Sequence, residues 1–103
     1  MKKIKVLRLS GCDWCKALVN KLNELNVSFE ELDANKNEAL ADVLEAYLNT
    51  TYYPIVILTS EQKTIYLYRP LDTKDVGHTT LDQNIEKIGC LTAEAMLTQI
   101  LNN

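Results

Sequence analysis

A strand signal runs almost directly into a helix signal near the start of the chain, and two cysteines occupy the junction. Ile4, Val6, Leu7 and Leu9 form a short aliphatic and β-branched run closed by Ser10-Gly11, which reads as a strand ended by a turn. From Trp14 the apolar residues Trp14, Leu18, Leu22 and Leu25 recur at helical spacing among Lys16, Asn20, Lys21 and Glu24, so this segment is an amphipathic helix. Cys12 and Cys15 therefore stand at a helix start. Unpaired backbone N–H groups and the positive end of the helix dipole stabilise a thiolate there, below its free pKa of about 8.5. The i, i+3 spacing also brings the second sulfur within bonding reach of the first. Cys12, nearer the turn, is expected to be the attacking thiol and Cys15, one turn inward, the resolving one.

The rest of the chain alternates in the same way. Val27, Phe29 and Leu32 mark a second strand over residues 27–32. Asn35 followed by Glu38 has the form of a capping box, and Leu40, Val43, Leu44, Tyr47 and Leu48 continue it as a second helix. Pro54 opens the apolar run Ile55-Val56-Ile57-Leu58, which suits a strand buried on both faces. Ser60-Glu61-Gln62-Lys63 reads as a hairpin turn into Thr64-Ile65-Tyr66-Leu67-Tyr68. Residues 69–80 read mostly as loop, with a short helical turn at Leu81, Ile85 and Ile88 ended by Gly89. Thr92 caps a last helix with the stripe Met96, Leu97, Ile100 and Leu101. This order calls for a small mixed sheet with helices on both faces.

The 103 residues are the length of one ordinary domain, 1–103, and 47% hydrophobic residues suffice for a core without disulfides or metal. Eleven basic against 14 acidic residues give a net charge of -3, without the basic excess a phosphate backbone attracts, so no nucleic-acid partner is expected. Lys5 and Arg8 interrupt the first apolar stretch, and nothing approaches the ~20 apolar residues of a membrane span. The expectation is a cytoplasmic monomer without membrane contact, in a compartment where a Cys-X-X-Cys is catalytic or metal-binding more often than structural. Three cysteines, an odd number, fit that better than a disulfide framework.

Cys12-Asp13-Trp14-Cys15 followed by Lys16, with Ser10-Gly11 before it and Tyr53-Pro54 opening a later hydrophobic strand, resembles the glutaredoxin family. The resemblance covers roughly residues 4–68 in element order, and the terminal helix also fits. It implies an α/β thioredoxin-like fold of the compact glutaredoxin type, with a four-stranded mixed sheet and helices on both faces. It further implies a dithiol oxidoreductase reducing protein or glutathione mixed disulfides. In that family the proline is cis beside the cysteines, and the backbone of the residue before it pairs with the substrate; Pro54 and Tyr53 match those positions. Trp14 keeps an aromatic next to the second cysteine, while Asp13 sets a negative charge beside Cys12 that opposes thiolate formation. Arg8 and Lys16 are the candidate basic residues for binding glutathione. Arg69-Pro70-Leu71-Asp72 lacks the Gly-Gly pair that holds the glutathione end groups, so a protein disulfide, such as that of ribonucleotide reductase, stands as an alternative substrate. No bound cofactor is required, and glutathione enters only as a co-substrate.

The other readings are a metal site and a non-catalytic thioredoxin-like module. A metal needs about four ligands, and only the distant Cys90 and His78 are added to the pair. Keeping both thiols argues against a module without redox work. Cys90, among Ile88 and Leu91, reads as a small buried apolar residue, His78 as a solvated loop residue, and Tyr66 and Tyr68 as strand packing.

Overall fold

Backbone pairing joins six strands into one sheet in the computed structural model, which describes residues 2–103. The elements are β1 (Lys3–Arg8), α1 (Asp13–Glu24), β2 (Glu30–Asp33), α2 (Glu38–Leu48), β3 (Ile55–Thr59), β4 (Thr64–Tyr68), β5 (Gly77–Asp82), β6 (Ile85–Gly89) and α3 (Ala93–Asn102). The strand order is β2-β1-β3-β4-β6-β5. Strand β1 pairs parallel with β2 and antiparallel with β3, β3 antiparallel with β4, β4 parallel with β6, and β5 antiparallel with β6.

Alternation along the central strands divides the apolar side chains between two faces. Val6, Val56, Leu58, Ile65, Leu67 and Ile88 point to one side, where Leu18 and Leu22 of α1 and Met96 and Ile100 of α3 cover them. Leu7, Ile55 and Tyr68 point to the other, under Ala41, Leu44 and Leu48 of α2. Burial of each large aliphatic side chain contributes about 1.5–3 kcal/mol, so this sandwich carries most of the favourable energy. Helices on both faces of a mixed sheet agree with the thioredoxin-like expectation.

Four strands were expected and six are present, because residues 77–89 form a hairpin in place of the expected loop and helical turn. Strand β5 exposes nearly every side chain, and within β6 only Ile88 and Gly89 are buried. Such a pair offers almost no period-2 signal, and the spacing of Leu81, Ile85 and Ile88 imitates a helix.

Smaller corrections have local causes. The second strand begins at Glu30, with Val27 and Phe29 packed against the core ahead of it. No capping box forms at Asn35: the Asn35 amide donates to the Asp33 carboxylate at 2.9 Å and Ala34–Lys36 make a 3₁₀ turn, so α2 starts after Asn37. Leu25, Val43 and Leu101, expected on apolar stripes, are exposed. The Ser60 turn, with its amide bonded to the Lys63 carbonyl, and the Thr92 cap, with its hydroxyl accepting from the Ala95 amide at 3.0 Å, form as expected. No helix among the described residues is long and apolar enough to cross a membrane.

Candidate active site

Gly11 makes the site possible by taking a left-handed conformation, φ +75°, between β1 and α1, a region that costs glycine little. That turn leaves Cys12 as the N-cap of α1, in extended conformation, with its Sγ accepting from the Cys15 amide at 3.2 Å. The sulfur thus does for the helix what a serine or aspartate oxygen does at other N-termini. Cys12 and Cys15 are joined as a disulfide across 5.2 Å between their Cα atoms. Cys12 is half-buried at the surface, whereas Cys15 is 1% exposed and packs with Leu7, Leu44 and Ile55. An incoming group can therefore reach the first sulfur and not the second.

The loop before β3 closes the other side of the disulfide. The Tyr53–Pro54 bond is cis, as the resemblance implies. The Tyr53 carbonyl oxygen lies 3.6 Å from Cys12 Sγ. Its side chain is turned away from the sulfurs: the ring is buried in the core under α2, and the hydroxyl donates to Glu45 at 2.6 Å. Burial, reinforced by the Glu45 carboxylate, pushes this phenol well above its ordinary value, so it stays protonated and keeps the loop anchored.

The basic residues divide differently from expectation. Arg8 lies in a groove of about 360 Å³ beside the disulfide, together with Ser10, Cys12, Lys16 and Asn20. Its charge is already met, by Glu31 at 3.0 Å and Asp33 at 3.8 Å. Lys16 lines the same groove and is exposed. On the opposite flank stands Arg69, which the sequence reading passed over. Its guanidinium carbon lies 4.0 Å from the centroid of the Trp14 ring and 4.9 Å from that of Tyr52, and one of its N–H groups donates to the Tyr53 carbonyl at 3.2 Å.

Three segments distant in sequence make this stack, so no local pattern announces it. The available signal was Arg69 following a strand, opposite two aromatics each adjacent to a site residue. Buried Thr50 holds the parts together: its hydroxyl donates to the Arg69 carbonyl at 2.5 Å and accepts from the Tyr52 amide at 3.1 Å. Trp14 packs against the core and carries the Arg69 guanidinium over its ring, and its buried indole N–H has no partner among the described residues.

Cys90 is buried and free, and burial pushes its thiol up to about 11. His78, on β5, lies 3.7 Å from the Glu86 carboxylate. Among the described residues no three His, Cys, Asp or Glu side chains gather as metal ligands would.

The chain is similar to the N-acetyl-S-hydroxy-L-cysteine reductase of Bacillus subtilis (strain 168), with 32% identity over 53 residues that make up 52% of this chain and 57% of that protein. It thus spans little more than half the length of this curated relative. No solved structure matches it significantly. The glutaredoxin family model matches residues 2–62, a span holding both cysteines and Tyr53-Pro54, and with this site at the start of α1 the chain belongs to the glutaredoxin family.

Proposed function

We propose that the chain is a dithiol reductase in which Cys12 attacks and Cys15 resolves. The observation that carries this reading is the asymmetry of the pair: an accessible sulfur held at the helix N-cap by a backbone amide, bonded to a buried one. In the reduced protein the same amide and the helix dipole favour the Cys12 thiolate. That thiolate attacks a substrate disulfide; the substrate S–S bond breaks, one substrate thiolate leaves and takes a proton, and a mixed disulfide remains on Cys12. Cys15, as thiolate, then attacks Cys12 Sγ and expels the second substrate thiolate. Two electrons and two protons pass from the protein to the substrate, and an external thiol such as glutathione, or a thiol reductase, restores the dithiol. A cytoplasmic setting suits such a cycle.

The relative's name adds a second form of oxidised sulfur, the sulfenic acid of an acylated cysteine. Attack on that sulfur displaces hydroxide, which leaves as water on taking a proton, and the sequel through Cys15 is the same. Both reactions belong to one site and need no bound cofactor.

Reduced protein mixed with bis(2-hydroxyethyl) disulfide is expected to lose two hydrogens in a mass spectrum, mapping to Cys12 and Cys15. Cys12→Ser is expected to fall to background turnover, and Cys15→Ser to accumulate the mixed disulfide on Cys12. Full turnover by Cys12→Ser would remove Cys12 from the mechanism. Coupling NADPH consumption through glutathione reductase in one assay and thioredoxin reductase in another identifies the electron donor.

A further inference from the structure

Arg69 and Lys16 stand on opposite flanks of the redox sulfurs with no ion pair to a carboxylate among the described residues, but only Arg69 is held in place, by two rings and a carbonyl. We propose that Arg69 is the specificity residue of the site, binding the α-carboxylate of a small cysteine-derived substrate whose sulfur is attacked by Cys12. This rests on the redox reading above and narrows its substrate class.

Three observations lead there. First, the guanidinium is held before any substrate arrives, between the Trp14 and Tyr52 rings and on the Tyr53 carbonyl. With its carbon over both rings the guanidinium is fixed in place, and its planar fork of N–H donors is of the kind that a carboxylate meets two at a time. Second, only one side-chain hydrogen bond occupies those donors, and none of the remaining nitrogens is buried without a partner. They are open to solvent and to a ligand. Third, the Tyr53 carbonyl oxygen is shared, 3.6 Å from Cys12 Sγ and 3.2 Å from the Arg69 nitrogen. These two contacts through one atom place the guanidinium within the span of a cysteine residue disulfide-linked to Cys12.

A free α-carboxylate at that distance belongs to cysteine, N-acylcysteine and their disulfides or sulfenic acids. A cysteine inside a polypeptide has an amide there instead. The site therefore favours small molecules over internal protein disulfides. Arg8 cannot supply the same selection, because Glu31 and Asp33 already neutralise it.

The test compares two disulfides that differ only in this group: N,N'-diacetylcystine and its dimethyl ester. Reduced protein is mixed with each, and its oxidation is followed through the fluorescence of Trp14, the sole tryptophan. Each second-order rate constant is normalised to that of dithiothreitol with the same disulfide. The wild type is expected to prefer the acid, although the chain carries a net charge of -3, and to lose that preference at high salt. In Arg69→Met the acid-to-ester ratio is expected to fall by at least about tenfold, and in Arg69→Lys by less.

A wild type without preference overturns the proposal, as does a ratio within twofold of wild type in Arg69→Met. In the second case, equal slowing of both substrates would assign Arg69 to the reactivity of the sulfur. Should Arg69→Met fail to fold, Arg69→Lys and the salt dependence of the wild type decide in its place. Reduction of the ester by wild type upholds the redox reading independently, and a wild type inert towards both disulfides sinks both inferences.

Discussion

Strand β3 and the hairpin β5–β6 belong to one hydrogen-bonded sheet yet are held in it by different means. Four of the five residues of β3 alternate into cores on opposite faces, while β5 leaves nearly all its side chains in solvent. The hairpin is fastened through its backbone pairing with β4 and through a few contacts at its base. One of these is a close approach at Gly89, on the strand beside Tyr68. The turn at Thr73–Asp75 folds back so tightly that a methyl group on Gly89 would overlap the Asp75 carbonyl, to which the Tyr68 hydroxyl also donates at 3.4 Å. The inner strands carry stability, whereas the hairpin base fixes the path of the loop that leaves Arg69.

The largest contrast is expected from side-chain truncation. Leu22, fully buried between α1, the sheet and α3, should lose about 2–5 kcal/mol in Leu22→Ala, as a cavity opens in the core. Thr80→Ala on exposed β5 should stay within about 0.5 kcal/mol of wild type. Urea denaturation of the two variants measures both. Equal losses would break the comparison, because they would place the hairpin's side chains in the same cooperative core.

A smaller effect separates space from burial. Gly89→Ala adds one methyl against backbone that must move, with the Val76 Cα a further 3.2 Å neighbour, and overpacking of this kind costs about 1–3 kcal/mol. Because φ of Gly89 lies outside the left-handed region, the cost is purely of space. A crystal structure of the variant should show the Thr73–Asp75 turn lifted from β6. An unmoved turn with unchanged stability would remove the hairpin base from the account of how this loop is held.

This division also explains what could be read from the sequence. The order through β4, the turn at Ser60, the placement of both cysteines at a helix start and the last helix were legible, because each rests on a local pattern with a buried face. The hairpin was not, since Thr79, Thr80 and Leu81 all face solvent and provide no alternation. Asn35 and Glu38 matched a capping box in spacing, but the Asp33 carboxylate took the Asn35 amide first. At the site, Cys12, Cys15, Trp14 and the Tyr53-Pro54 bond came from motif and resemblance together. Arg69 escaped both, as its partners Trp14 and Tyr52 approach it only through tertiary folding, whereas Arg8 attracted notice by its nearness in sequence and proved to be occupied by Glu31 and Asp33.

The least of the expected effects comes from Cys90, where the hairpin rejoins the core. Its amide donates to the Tyr68 carbonyl at 2.9 Å and its side chain is buried beside Ile88, Met96 and Ile100. Burial raises the thiol from 9.0 to about 11. The unfolded chain then sheds this proton near pH 9 and the folded chain only near pH 11, so in that window the unfolded state binds fewer protons and stability falls as pH rises. Below pH 9 the thiol is protonated in both states and its contribution is constant. The expected loss is about 1 kcal/mol by pH 10. Cys90→Ala should cost a constant amount but flatten the decline, and oxidised protein should be used so that Cys12 and Cys15 do not titrate. Tyr53 and Tyr66, also raised by burial, remain in both proteins and cancel in the difference, whereas Tyr68, raised by burial and by the neighbouring Asp75 and Cys90 charges, is coupled to the thiol, so the difference reports Cys90 together with its effect on Tyr68. Parallel stability curves for wild type and Cys90→Ala between pH 8.5 and 10 would mean that this sulfur meets water, and that the chain leaving the hairpin is no better buried than exposed β5.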